Sequence, residues 1–96
     1  MKCSSLHGLY IEQLKDLHSA ETQLTMALPQ MAEAANTPEL KSAFTAHLEE
    51  TKEHLVRLNQ IGEKLDRSLG EQTCAAMKGL IEEGAEWMEE DASQTL

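Results

Sequence analysis

Two residue types that do chemistry recur where a helix would bury leucines. Glu21 lies within the series Tyr10, Leu14, Leu17, Glu21, Leu24, Leu28, Met31. His47, Thr51 and His54 lie within the series Leu40, Phe44, His47, Thr51, His54, Leu58, Ile61, Leu65. Both series advance in alternating steps of four and three, the spacing that keeps side chains on one helix face. A carboxylate in such a stripe needs a neighbouring cation, a proton or a metal ion, because burying it unpaired is costly. Carboxylates combined with imidazole suit a first-row divalent metal such as iron or manganese.

The angular positions sort these residues. With Thr51 taken as the centre of the second stripe, His47 lies about 40° and His54 about 60° to one side, and Glu50 about 100° to that side. Glu53, about 200° away, faces solvent. Glu21 is central on the first stripe, with His18 about 60° from it. Glu21, Glu50 and His54 are therefore the expected metal ligands, with His47 and His18 as weaker candidates. His7 is read as a surface residue. Di-metal helical bundles take Glu from one helix and Glu-x-x-His from its neighbour. Here the residue three before His54 is Thr51, and Glu50 is one position off. A second reading therefore stays open: Glu21 accepts hydrogen bonds from Thr51 and a protonated His54, in a polar cluster without metal.

The elements that must position these residues are helices. Leu, Ala and Met dominate the apolar content, and only two prolines are present. Three helices are expected, over about 5–35, 38–68 and 71–90. Ser4 or Ser5 caps the first. Pro29 should bend its last turns without ending it, since the stripe continues past the proline. "NTPEL" restarts the chain with Thr37 as N-cap and Pro38 in the first turn. "RSLGEQ" ends the second helix, with Gly70 as the expected left-handed stop. The third carries Cys74, Met77, Ile81, Ala85 or Gly84, and Met88 on one side. The acids of "EWMEEDASQTL" fall at the negative end of its dipole, so that end should fray or be completed by a partner.

The short turn makes the two long helices an antiparallel hairpin in which paired residue numbers sum to about 73. Glu21 then lies level with Glu50, Thr51 and His54. The expected fold is all-α: a long antiparallel hairpin plus a shorter third helix in one 1–96 domain. A chain of 96 residues builds only a thin core. Part of each inner face is left for a partner, and dimerisation would complete a four-helix bundle.

Composition narrows the function classes. The formal net charge of −9 argues against nucleic acid and anionic membranes as partners and favours cations. No run is long and apolar enough for a membrane span, and no signal-peptide core follows "MKCSS". The cytoplasm is the expected compartment, with Cys3 and Cys74 as free thiols.

The segments "LYIEQLKDLHSAETQLTMALPQMAEAA", "PELKSAFTAHLEET" and "CAAMKGLIEEG" resemble, in order and spacing, the YciF-type ferritin-like family of bacterial proteins. The match runs from about Leu6 to Glu90. The resemblance implies a four-helix bundle with a crossover helix, related to rubrerythrins, metal-binding and linked to stress. Residues 6–35 and 38–68 would be the first two bundle helices, and 71–90 the crossover helix. Glu21 matches the first-helix carboxylate and Glu50 the second-helix one. His54 stands where many relatives have Gln. Members of the family continue for about two more helices. The chain is thus expected to be either a fragment or a half-bundle whose homodimer or higher homo-oligomer restores four helices. The latter is similar to encapsulated ferritins, and the run from "PELKSAF" to "ETKEH" also resembles their second helix. The implied activity is iron binding, with ferroxidase-type oxidation as a further implication. The alternative function is a metal-free helical oligomerisation module.

Overall fold

The computed structural model describes residues 5–70 and 72–89. Three helices form among them: α1 (Leu6–Ala34), α2 (Pro38–Lys64) and α3 (Ala75–Glu89). Cys3 and the acidic end at 90–96 lie outside the described residues, and the expectations attached to them lie there too.

Local chemistry explains the boundaries. Ser5 is in an extended conformation, and its Oγ accepts from the Gly8 N–H at 3.0 Å, which starts α1. The helix runs on through Pro29 to Ala34. Thr37 repeats the capping device for α2, accepting from the Leu40 N–H at 3.1 Å, with Pro38 in the first turn and Glu39 near the positive end of the dipole. The Lys41 Nζ reaches back to the Glu33 carbonyl at 3.4 Å and ties the turn together.

The end of α2 differs from expectation. Helix α2 stops at Lys64, ahead of position 68, and Gly70 is not left-handed. The left-handed residue is Asp66, with φ 55. The Asp66 N–H donates to the Glu63 carbonyl at 3.1 Å and the Arg67 N–H to the Gly62 carbonyl at 2.9 Å. These are the paired bonds of a Schellman stop, with an aspartate where glycine is usual. Gly62 has a separate role. A Cβ there would meet the Arg67 carbonyl oxygen at 2.9 Å and Leu69 Cγ at 3.2 Å. Only a bare backbone lets the chain fold back and drop Leu69 into the core.

That core lies at the end of the hairpin remote from the α1–α2 turn. Leu14, Leu58 and Leu69 are buried together, with Ile61 and Leu65 packed against them. Ile11 is buried one turn before Leu14, and Ala27 and Leu28 are buried in the second half of α1. Helix α3 lies against α1 and makes no comparable contact with α2. Its start is held by polar bonds. Ser19 Oγ accepts from the Cys74 N–H at 2.7 Å and from Gln23 Nε2 at 3.2 Å, and Gln23 Nε2 also donates to the Cys74 carbonyl at 3.1 Å. The third helix therefore begins at Ala75, after this clasp, and not at 71.

The fold is all-α, an antiparallel hairpin with a shorter third helix. Several positions of the two apolar stripes are nevertheless open. Leu17 is 52% exposed, and Tyr10, Leu40 and Met88 are also exposed. Two long helices and one short one cannot enclose stripes this wide. Between α3, the second half of α1 and the first turns of α2, an apolar groove of about 340 Å³ remains, lined by Leu24, Met31, Phe44, Met77 and Ile81 among others. No helix among the described residues is long and apolar enough to cross a membrane.

Candidate metal site on the open face of the hairpin

The hairpin register brings Glu21 on α1 opposite His54 on α2. His54 Nδ1 stands 3.5 Å from Glu21 Oε2. That oxygen is buried and accepts no hydrogen bond. The contact is an ionic approach and not a hydrogen bond. A carboxylate oxygen shut off from water without a donor is an uncompensated cost, and it marks the place where a cation would be stabilised most. Among the described residues, His54 Nε2 makes no bond to protein, so that nitrogen is available to a ligand.

The other expected ligands stand apart from this pair. Glu50 is exposed on α2. Its angle of about 100° from the inner face explains this. His18 is turned to the other edge, where its Nε2 lies 3.0 Å from Asn59 Oδ1. His47 lies 3.0 Å from Thr51 Oγ1 through Nδ1. Glu53 and His7 are exposed, as their angles and position imply. Among the described residues no three His, Cys, Asp or Glu side chains converge closely enough to hold a metal ion by themselves. One copy of the chain thus supplies Glu21 and His54 as a close pair, with Glu50 and His47 along the same edge of α2.

Thr51 is a correction to the expectation of a Thr51–Glu21 hydrogen bond. Its hydroxyl turns back onto its own helix, donating to the His47 carbonyl at 2.8 Å. The side chain is 0% exposed. Thr51 is therefore a buried packing residue between the helices.

Ser19 and Gln23 are invisible to spacing arguments. Ser19 lies about 140° from Leu14 around α1, outside the apolar stripe. Its partner is 55 residues away. Cys74, at the clasp, is a buried free thiol.

Comparison with known proteins agrees with this architecture. Residues 5–96 match the family described as a domain of unknown function, DUF892. The chain is 40% identical over 90 residues to Protein YciF of Escherichia coli (strain K12), covering 93% of this chain and 54% of that protein. It superposes on the crystal structure of the E. coli stress protein YciF with a TM-score of 0.86 at 39% identity, covering 93% of this chain and 57% of that one. The chain therefore spans about half the length of the relative it matches. The match to residues 5–96 and the 40% identity place this chain in the DUF892 family, alongside YciF.

Proposed function

We propose that this chain is a metal-binding helical protein of the ferritin-like kind, with iron the first-choice metal and manganese or zinc as alternatives. The site lies on the open face, with Glu21 and His54 at its centre and Glu50 at its edge. The single observation that carries this reading is the buried Glu21 Oε2, which accepts no hydrogen bond and faces an imidazole. A carboxylate oxygen and a borderline nitrogen are donors that Fe(II), Mn(II) and Zn(II) all accept.

The same face explains why one copy is not enough. Leu17 and Tyr10 on one side of Glu21, and the groove around Phe44 and Met31 on the other, form an apolar surface interrupted by the polar pair. Apposing two copies about a two-fold axis would bury this surface and bring a second Glu21, Glu50 and His54 to the first. The protein would then act as a homodimer or higher homo-oligomer in the cytoplasm. Its role would be iron binding, oxidation or storage under stress; the E. coli relative is titled a stress protein, which supports the stress link alone. Bound iron would supply one-electron chemistry toward oxygen. Glu21 would hold the cation in a water-poor place, His54 would orient against Glu21, and the apolar surround would exclude bulk water.

A second reading keeps the face and drops the metal. The lack of three converging ligands among the described residues of one copy favours it. Self-association would then bury the groove, and the Glu21–His54 pair would set register. Anaerobic loading with Fe(II) or Mn(II), followed by metal analysis and sedimentation equilibrium, separates the two. The metal reading expects bound metal, a raised melting temperature, and loss of both in Glu21→Ala. Absence of bound metal with an unchanged melting temperature would sink it, whereas a stable monomer would sink the shared site alone.

A further inference from the structure

Helix α3 is apolar over a wider arc than α1 covers. At about 100° per residue, that arc runs from Trp87 at one edge, through Leu80, Gly84, Met77 and Ile81, to Ala85 at the other, across roughly 160°. The Ile81 and Ala85 side is half-buried and lies on the side of Cys74, whose clasp holds α3 to α1. The opposite edge is open among the described residues: Leu80 is 65% and Trp87 64% exposed. Gly84 follows Leu80 by four residues and precedes Trp87 by three, so all three share one side of the helix. A Cβ added at Gly84 would meet nothing within 4 Å. The edge is therefore a projection, a notch and a second projection. Such an outline fits an antiparallel copy of itself. Each Trp87 falls beside the other copy's Leu80, and the two bare Gly84 backbones permit close approach.

Charge favours the same direction. Helix α3 has no acid in its first turn and no base in its last. Glu82, Glu83 and Glu86 crowd its second half, toward the negative end of its own dipole. Antiparallel pairing brings each acidic half alongside the other copy's uncompensated positive end, whereas parallel pairing sets acids against acids. We propose that the outer edge of α3 is an interaction surface for the α3 of a second copy, paired antiparallel through Leu80, Gly84 and Trp87. This contact is distinct from the shared-site face. The Cys74 clasp is level with Ser19 and Gln23, and so with Glu21. Gly84 lies 10 residues further on, about 15 Å along the helix. A two-fold axis at Gly84 would hold two Glu21 side chains on the order of 30 Å apart. The α3 contact therefore joins copies in addition to any pairing about Glu21, and it needs no metal.

Trp87 is the single tryptophan of the chain, so its fluorescence reports on this edge. The test is sedimentation of the metal-free full chain across a dilution series, with Trp87 emission read on the same samples. Association should shift the emission to the blue. Gly84→Leu fills the notch without a clash and with a better helix former. It should keep the helical circular dichroism, halve the mass of the largest assembly and weaken association by about tenfold or more. Trp87→Ala, at an exposed position, should weaken association by a similar factor, and it decides the matter if Gly84→Leu does not fold. Association with unchanged Trp87 emission, or Gly84→Leu assembling as the wild type does, overturns the proposal and leaves the shared-site dimer standing. Blue emission that persists on dilution to the monomer means that Trp87 is covered within one chain, which also overturns it. A monomer at every concentration overturns it as well; if Mn(II) restores no association, the shared site falls with it.

Discussion

The two halves of the hairpin are built on different principles. The half remote from the turn is closed. There Leu69 folds back from the loop after α2 and caps Leu14 and Leu58, aided by the bare backbone of Gly62. The other half is open. The same kind of stripe supplies it, but α3 reaches only α1, and Leu24, Met31 and Phe44 line a groove instead of a core. Glu21, Thr51 and His54 sit between the two. The closed half can hold the fold by itself, while the open half leaves apolar surface uncovered.

The largest effect should come from attacking the closed half. Leu58→Ala should cost about 2–5 kcal/mol by denaturant unfolding, since the lost methyl groups leave a cavity. Leu40→Ala, in the open half, should change monomer stability by no more than about 0.5 kcal/mol and weaken self-association instead. Equal losses would dissolve the distinction between the halves. The clasp comes next. Ser19→Ala leaves the buried Cys74 N–H without its acceptor and should cost about 1–3 kcal/mol. Hydrogen exchange should show the loss concentrated in α3, because Ser19 and Gln23 hold only that helix's start.

The boundary between the halves gives an effect of opposite sign. Glu21→Leu removes a carboxylate oxygen that is buried without a donor. It should raise metal-free stability by about 1 kcal/mol and remove any stabilisation by metal. A fall in metal-free stability would show that the His54 contact outweighs the desolvation of Glu21. The smallest effect belongs to the stop of α2. Asp66→Gly relieves a left-handed residue, offset by the greater freedom of glycine in the unfolded chain, for a gain of about 0.5 kcal/mol. It should leave metal binding untouched, since Asp66 lies beyond the end of α2.

Much of this architecture is legible in the residues alone. The four-three spacing of two stripes, with Ser5 and Thr37 as caps and Pro38 in a first turn, is enough to specify two long helices. Their short connection sets the antiparallel register, and so the meeting of Glu21 and His54. Local rules carry that far because each depends on residues within a turn or on one short connection. The end of α2 escapes them for the opposite reason. Gly70 is the residue that tolerates a left-handed turn most easily, but Leu69 reaches the core only if the chain reverses earlier. The burial of Leu69 outweighs the modest strain of Asp66 at φ 55.

In the candidate site, residue order dictates which polar side chains share a level and an edge, because helical periodicity is a property of the backbone. The meeting of the helices is what encloses Glu21 Oε2 without a donor, leaves Glu50 outside, and pairs His18 with Asn59 on the far edge. It also turns Thr51 to His47 and not to Glu21. Those outcomes depend on how closely two helices approach and which rotamers survive the approach. Packing sets both, and neither is written in the spacing of the residues.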